Sequence, residues 1–224
     1  MSQFLIAVRL GKFEIFLNYE EEPLFETDAM WQSEGISFNL TNGIHTEAQV
    51  MAMDVGGSLA FEIGDRFRAV PWVGVTRLEV DQYEEGTSSW GQGQPSYDYD
   101  WETAWRLWGL GCGVEGVYDV GSRVSFSLRL LQRWGAGTFS AQLTDERWDY
   151  EWPIEPGDEP TGSERGGSGT SGKVTSMMFG GDLGLRVRFA GWGWIEGGWR
   201  YRNWGYSSGP GVYDGPFLRL AFIF

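Results

Sequence analysis

Apolar and polar positions alternate with period two over segments much longer than ordinary strands. Across 49–63 one set of positions reads Met51, Met53, Val55, Gly57, Leu59, Phe61 and Ile63, and the other Ala52, Asp54, Gly56, Ser58, Ala60 and Glu62. Across 175–189 the sets are Thr175, Met177, Phe179, Gly181, Leu183, Leu185, Val187 and Phe189 against Ser176, Met178, Gly180, Asp182, Gly184, Arg186 and Arg188. Alternation predicts strands with one apolar face. Runs of about 15 residues exceed the usual five or six, and suit tilted strands that cross a bilayer.

The other segments follow the same scheme less cleanly. Val70, Trp72, Gly74, Leu78 and Val80 oppose Arg77, Glu79 and Asp81; Trp108, Leu110, Cys112, Val114 and Tyr118 oppose three glycines and Glu115. Val124, Phe126, Leu128, Leu130 and Trp134 oppose Arg129 and Arg133, while Ile195, Trp199 and Tyr201 oppose Glu196, Arg200 and Arg202. The first strand changes phase at Gly11 and Lys12, between Phe4, Ile6, Val8, Leu10 and Phe13, Ile15, Leu17, Tyr19. A bulge there gives eight strands; a tight hairpin moves the count toward ten. Residues 1–224 read as a single domain.

Connections alternate in length. Short turns are predicted at 64–65, 121–122 and 190–191, and long polar loops at 21–46, 84–100, 144–172 and 205–215. Within the third loop, 161–172 (TGSERGGSGTSG) reads as a mobile tip. An even strand count puts both termini on the short-turn side.

Composition narrows the function classes. The net charge of −14 argues against nucleic-acid binding, which needs clustered Lys and Arg. A lone Cys112 excludes a disulfide framework and a cysteine zinc site. No run of about 18 apolar residues marks a transmembrane helix. The charge is unevenly placed: segments 20–47, 84–102 and 145–173 with Asp214 hold 21 of the 31 acids and only Arg147, Arg165 and Lys173 among the bases. The polar faces of the strands nominate Glu14, Asp54, Glu62, Glu79, Asp81, Glu115, Asp182 and Glu196 against Arg77, Arg129, Arg133, Arg186, Arg188, Arg200, Arg202 and Arg219. Eight against eight predicts an ion-paired, largely plugged interior, for which the planar guanidinium fork is well shaped. Arg106 falls on the outward phase beside Trp108.

The ending Gly-Pro-Phe-Leu-Arg-Leu-Ala-Phe-Ile-Phe, with Leu218, Leu220, Phe222 and Phe224 at alternate positions, resembles the terminal strand signal of bacterial outer-membrane proteins. The resemblance implies an all-β, transmembrane antiparallel up-and-down β-barrel of the small OmpA/OmpX-type class, with short periplasmic turns and long extracellular loops. It further implies recognition of that strand by the barrel-assembly machinery, contact with outer-membrane lipids and lipopolysaccharide, and periplasmic termini. No signal peptide precedes the first strand, so the N-terminus reads as mature or incomplete. Trp72, Trp108, Trp134, Trp199 and Tyr201 are expected in an aromatic girdle at the membrane boundary.

Candidate chemistry is sparse. His45 is the single histidine, two residues from Glu47, and no nucleophile motif accompanies it. The acids of 145–159 lack the spacing of a calcium loop, and no cofactor or metal site is expected. Trp90, Tyr97, Tyr99, Trp101, Trp148, Tyr150 and Trp152 are either sugar-stacking platforms or mutually packed aromatics. The leading expectation is a structural or surface-interaction protein meeting an unknown extracellular partner through acidic, aromatic-rich loops. The alternatives are a narrow, porin-like pore for small solutes and an outer-membrane lipid or peptide hydrolase using His45. A soluble sandwich or lipocalin-like binder is the remaining fold alternative.

Overall fold

The structure, a computed structural model, describes residues 2–34, 39–90, 94–150, 159–206 and 209–224. Among them there is no helix, and ten strands form one sheet: β1 Ser2–Leu10, β2 Phe13–Glu34, β3 Asn39–Leu59, β4 Phe61–Ile63, β5 Phe67–Trp90, β6 Gln94–Asp119, β7 Val124–Asp149, β8 Gly162–Ala190, β9 Gly193–Tyr206 and β10 Gly209–Ile223. Neighbouring strands pair in the order β3-β2-β1-β10-β9-β8-β7-β6-β5-β4, and a further β3–β5 pairing closes the sheet into a ring. β4 continues the path of β3 beyond Ala60, so nine strand positions surround the ring, an arrangement compatible with a β-barrel.

The hairpin alternative holds at Gly11 and Lys12. Leu10 pairs with Phe13, and Gly11 has a φ of 69°, a left-handed conformation that glycine adopts without a Cβ penalty. The extra strand makes the count around the ring odd. β1 and β10 therefore meet in parallel, with Gln3 opposite Arg219 and Ala7 opposite Ile223. β1 joins the ring partway up and runs toward the short-turn rim, so the even count, and with it the placing of both chain ends at that rim, does not hold.

The segments expected as long loops are mostly strand. β5, β6 and β7 each run more than 20 residues, and β8 reaches 29. Segment 161–172, expected as a mobile tip, pairs residue by residue from Gly162 opposite Asp149 to Gly172 opposite Phe139. A ladder already in register below needs no apolar face to continue upward, because its backbone hydrogen bonds are satisfied by the neighbouring strand. The tips at 35–38, 91–93, 151–158 and 207–208, including Trp152, lie outside the described residues.

Across the lower part of the ring the alternation is inside-out. Val55, Val73, Leu110, Leu128, Leu130, Leu183, Leu185 and Leu218 are exposed on the outer face, whereas Asp54, Arg133, Asp182, Arg200, Arg202 and Arg219 are buried within. On β8 the outward apolar run lasts from Met177 to Phe189, roughly 40 Å along the strand and about 30 Å in height at barrel-like tilts. Above the charged layer an apolar cluster fills part of the interior: Val50, Leu78, Val80, Trp105, Leu107, Val174 and Met178.

Candidate functional site

The buried interior is a network of five carboxylates and six guanidinium groups contributed by seven strands. Asp182 on β8 is shared by three arginines. It accepts from Arg200 Nε at 2.9 Å, Arg202 Nη1 at 2.6 Å and Arg219 Nη2 at 2.8 Å. Asp54 on β3 accepts from Arg133 Nε at 2.9 Å and Asn18 Nδ2 at 3.0 Å. Glu20 on β2 accepts from Arg129 at 3.2 Å and Arg133 at 3.1 Å. Glu196 takes Arg186 and Arg219, and Glu115 takes the same two arginines from the other side. Burial of such ions is expensive unless they are paired and hydrogen-bonded, and sharing each carboxylate among several guanidinium forks offsets much of that cost.

Strand alternation places these groups together: β2, β3, β7, β8, β9 and β10 each aim a charged residue at the same height of the interior. Gln3 ties the seam between β1 and β10. Its Nε2 donates to Asn18 at 2.7 Å and Glu20 at 2.8 Å, while its Oε1 accepts from Arg219 at 2.8 Å and from Arg200. Aromatic faces pack the arginines from the sides, with Arg186 3.7 Å from the Trp194 ring centre and Arg129 5.3 Å from that of Trp72.

Ten of the sixteen expected interior charges join this network: Asp54, Glu115, Arg129, Arg133, Asp182, Arg186, Glu196, Arg200, Arg202 and Arg219. Three do not lie inside at all. Arg77, Glu79 and Asp81 belong to the outer face of β5, where Arg77 pairs with Glu79 and Arg106 meets Asp81 at 2.7 Å. The cause is the phase of β5: Trp72, Thr76, Leu78 and Val80 are buried within, while Val73 and Val75 are exposed outside. Arg106 lies outward as expected and finds its carboxylates there. The remaining three keep to the short-turn rim: Glu14 pairs with Arg9, and Glu62 and Arg188 are exposed.

The same phase removes Trp72 from the expected girdle. Its indole lies inside, edge-on to Phe16 at 5.8 Å and against the glycine at position 113, where any Cβ would meet the ring. Trp108, Trp134, Trp199 and Tyr201 are exposed on the outer face, as are Leu218 and Phe224 of the last strand. Sequence reading missed Glu20, Gln3 and Asn18. Glu20 was counted with the first loop, although it continues the phase of Glu14, Phe16 and Asn18.

Above the network, a cavity of about 1220 Å³ lies between the extended strands β3, β5, β6, β7 and β8, with Ala48, Gln82, Thr103, Ala141 and Thr170 among its lining residues. The wall carries acids on both faces. Burial, with Glu85, Glu146 and Asp100 nearby, raises the Asp98 carboxyl above its usual range. Tyr99 donates to Glu84 at 2.8 Å and Tyr83 to Asp100 at 3.0 Å; burial and these hydrogen bonds push both phenols up to about 12. His45 Nε2 stands 3.0 Å from Glu47 Oε1, across the ladder from Glu85. Tyr97 and Tyr99 pack 5.9 Å apart. Among the described residues no three His, Cys, Asp or Glu side chains are grouped to hold a metal ion.

Compared with protein-family models, curated proteins and solved structures, the chain matches none.

Proposed function

We propose that this chain is an outer-membrane β-barrel of a Gram-negative bacterium, closed by its ion-paired interior, whose extended acidic wall meets partners outside the cell. The observation that carries the reading is the inverted polarity of the ring: Leu110, Leu128, Leu183 and Leu218 exposed outside, Arg133, Arg200 and Arg202 fully buried within. In water such an outer surface would be a very large apolar patch; in a bilayer it is the solvent-facing side, and its height is close to that of a hydrocarbon core. Trp108, Trp134, Trp199 and Tyr201 supply interfacial anchors. The terminal Leu218, Leu220, Phe222 and Phe224 act as the assembly signal, and the lipid neighbours are phospholipid and lipopolysaccharide.

A closed interior favours a structural and interaction role over conduction, because the charged layer across the ring is buried and packed with ion pairs. The test is refolding of the purified chain into detergent and then into planar bilayers. Heat-dependent migration on gels with electrically silent bilayers is the expected result. A stable, large ohmic conductance overturns the closed interior, and full solubility without detergent overturns the membrane reading.

A further inference from the structure

The short-turn end of the ring encloses a second cavity, of about 120 Å³, whose lining includes Arg9, Glu14, Arg68, Glu115, Arg186 and Arg188. Four guanidinium groups thus face two carboxylates, and both carboxylates are already engaged. Glu14 accepts from Arg9 Nε at 2.7 Å. Glu115 is held by Arg186 and, at 3.4 Å, by Arg219. The deeper network cannot supply a further anion, because its five carboxylates are shared among six arginines.

Two cations of the cavity remain undercompensated. Arg68 reaches Asp119 only through Nη2 at 3.6 Å, and its buried Nε has no hydrogen-bond partner. Arg188 has no carboxylate within ion-pair distance among the described residues. Unmatched guanidinium groups lining one small cavity are complementary to a tetrahedral oxyanion, which accepts several N–H bonds at once. The volume sets the size class. At about 120 Å³ the cavity is of a size for a small anion.

We propose that this vestibule is a binding site for a small oxyanion of the phosphate type, held chiefly by Arg68 and Arg188. The anion is either free in solution or the phosphate of a lipid headgroup at the rim. The site stands on the geometry of this cavity and does not depend on the outer-membrane reading.

The experiment is calorimetric titration of inorganic phosphate into the full chain, refolded in a phosphate-free detergent. Saturable binding is expected, weakened about tenfold by Arg68→Gln and by Arg188→Gln, the loss of one charge-assisted contact each. Arg165→Gln on the far rim should leave it unchanged. Glu14→Gln frees Arg9 and should tighten phosphate binding several-fold, a gain that a misfolded variant cannot produce. Adding phosphatidic acid to the micelles separates the two sources, both within the proposal: competition assigns the site to a lipid headgroup, and unchanged phosphate affinity assigns it to the free anion. Absence of saturable binding, or binding indifferent to Arg68, Arg188 and Glu14 together, overturns the proposal.

Discussion

β8 runs without a break from Gly162 to Ala190, yet its two halves meet different physical demands. From Val174 to Arg186 every second residue is buried and most of those between are exposed apolar side chains; above it, from Gly162 to Ser171, every position is exposed and small or polar. The lower half is held by what its side chains exclude and pair. The upper half is held by backbone pairing with β7, from Gly162 opposite Asp149 to Lys173 opposite Thr138. One continuous ladder therefore joins a segment of high side-chain specificity to one of almost none, and substitutions should cost accordingly.

The largest contrast is expected for matched acids. Asp182→Ala strips three arginines of their common partner and should cost about 3–5 kcal/mol in urea unfolding. Asp145→Ala in the wall should fall within about 0.5 kcal/mol; equal costs would break the comparison. On the outer face, Leu183→Arg in lipid vesicles should cost roughly 2–4 kcal/mol, and Ser168→Arg on the same strand close to nothing. A vesicle measurement in which both are silent would remove the apolar band's bilayer role.

Gly109→Ala should come next, at about 1–3 kcal/mol, since a Cβ there would fall 1.6 Å from the Trp134 carbonyl oxygen, a backbone atom that cannot swing aside.

The smallest effects belong to the wall's titrations. Because the folded Asp98 carboxyl is raised above its unfolded value, its contribution is fully present in acid and is lost as pH rises through the raised value. Asp98→Asn should therefore stabilise the wall at neutral pH by about a few tenths of a kcal/mol, and the gain should vanish in acid unfolding curves. Tyr83 and Tyr99 work in the opposite range: their hydrogen-bonded phenols contribute up to ordinary tyrosine pH and lose that contribution as pH rises through about 12. Ultraviolet titration should show Tyr83 and Tyr99 among the late-ionising tyrosines, with their steps abolished individually by Tyr83→Phe and Tyr99→Phe.

What could be read from the sequence follows the same division. Where one face is apolar and the other charged, as in 175–189 or 124–134, period two alone gave the strand, its facing and its interior arginines. β5 failed on phase because both its faces carry apolar residues, Trp72, Leu78 and Val80 on one and Val73 and Val75 on the other. Only pairing with β6, which puts Arg77 opposite Trp108 and Glu79 opposite Arg106, decides between them. The wall was legible only as polar chain, since a strand solvated on both faces leaves no alternation to detect. Glu20 was lost for that reason, standing where the alternating part of β2 passes into its polar extension.

The seam between the first and last strands of the ring has a kinetic consequence. Every other seam links strands that are close neighbours in sequence, but the β1–β10 seam joins residues from the two ends of the sequence, Gln3 with Arg219 through Ala7 with Ile223. It has five register pairs where β9 and β10 have fourteen. Loop closure over nearly the whole chain makes this the contact of highest sequence separation, and such contacts form late. Closure of the ring is thus expected as the final, slow event of folding, and the polar side chain of Gln3, bridging both edges, is the clasp across that seam.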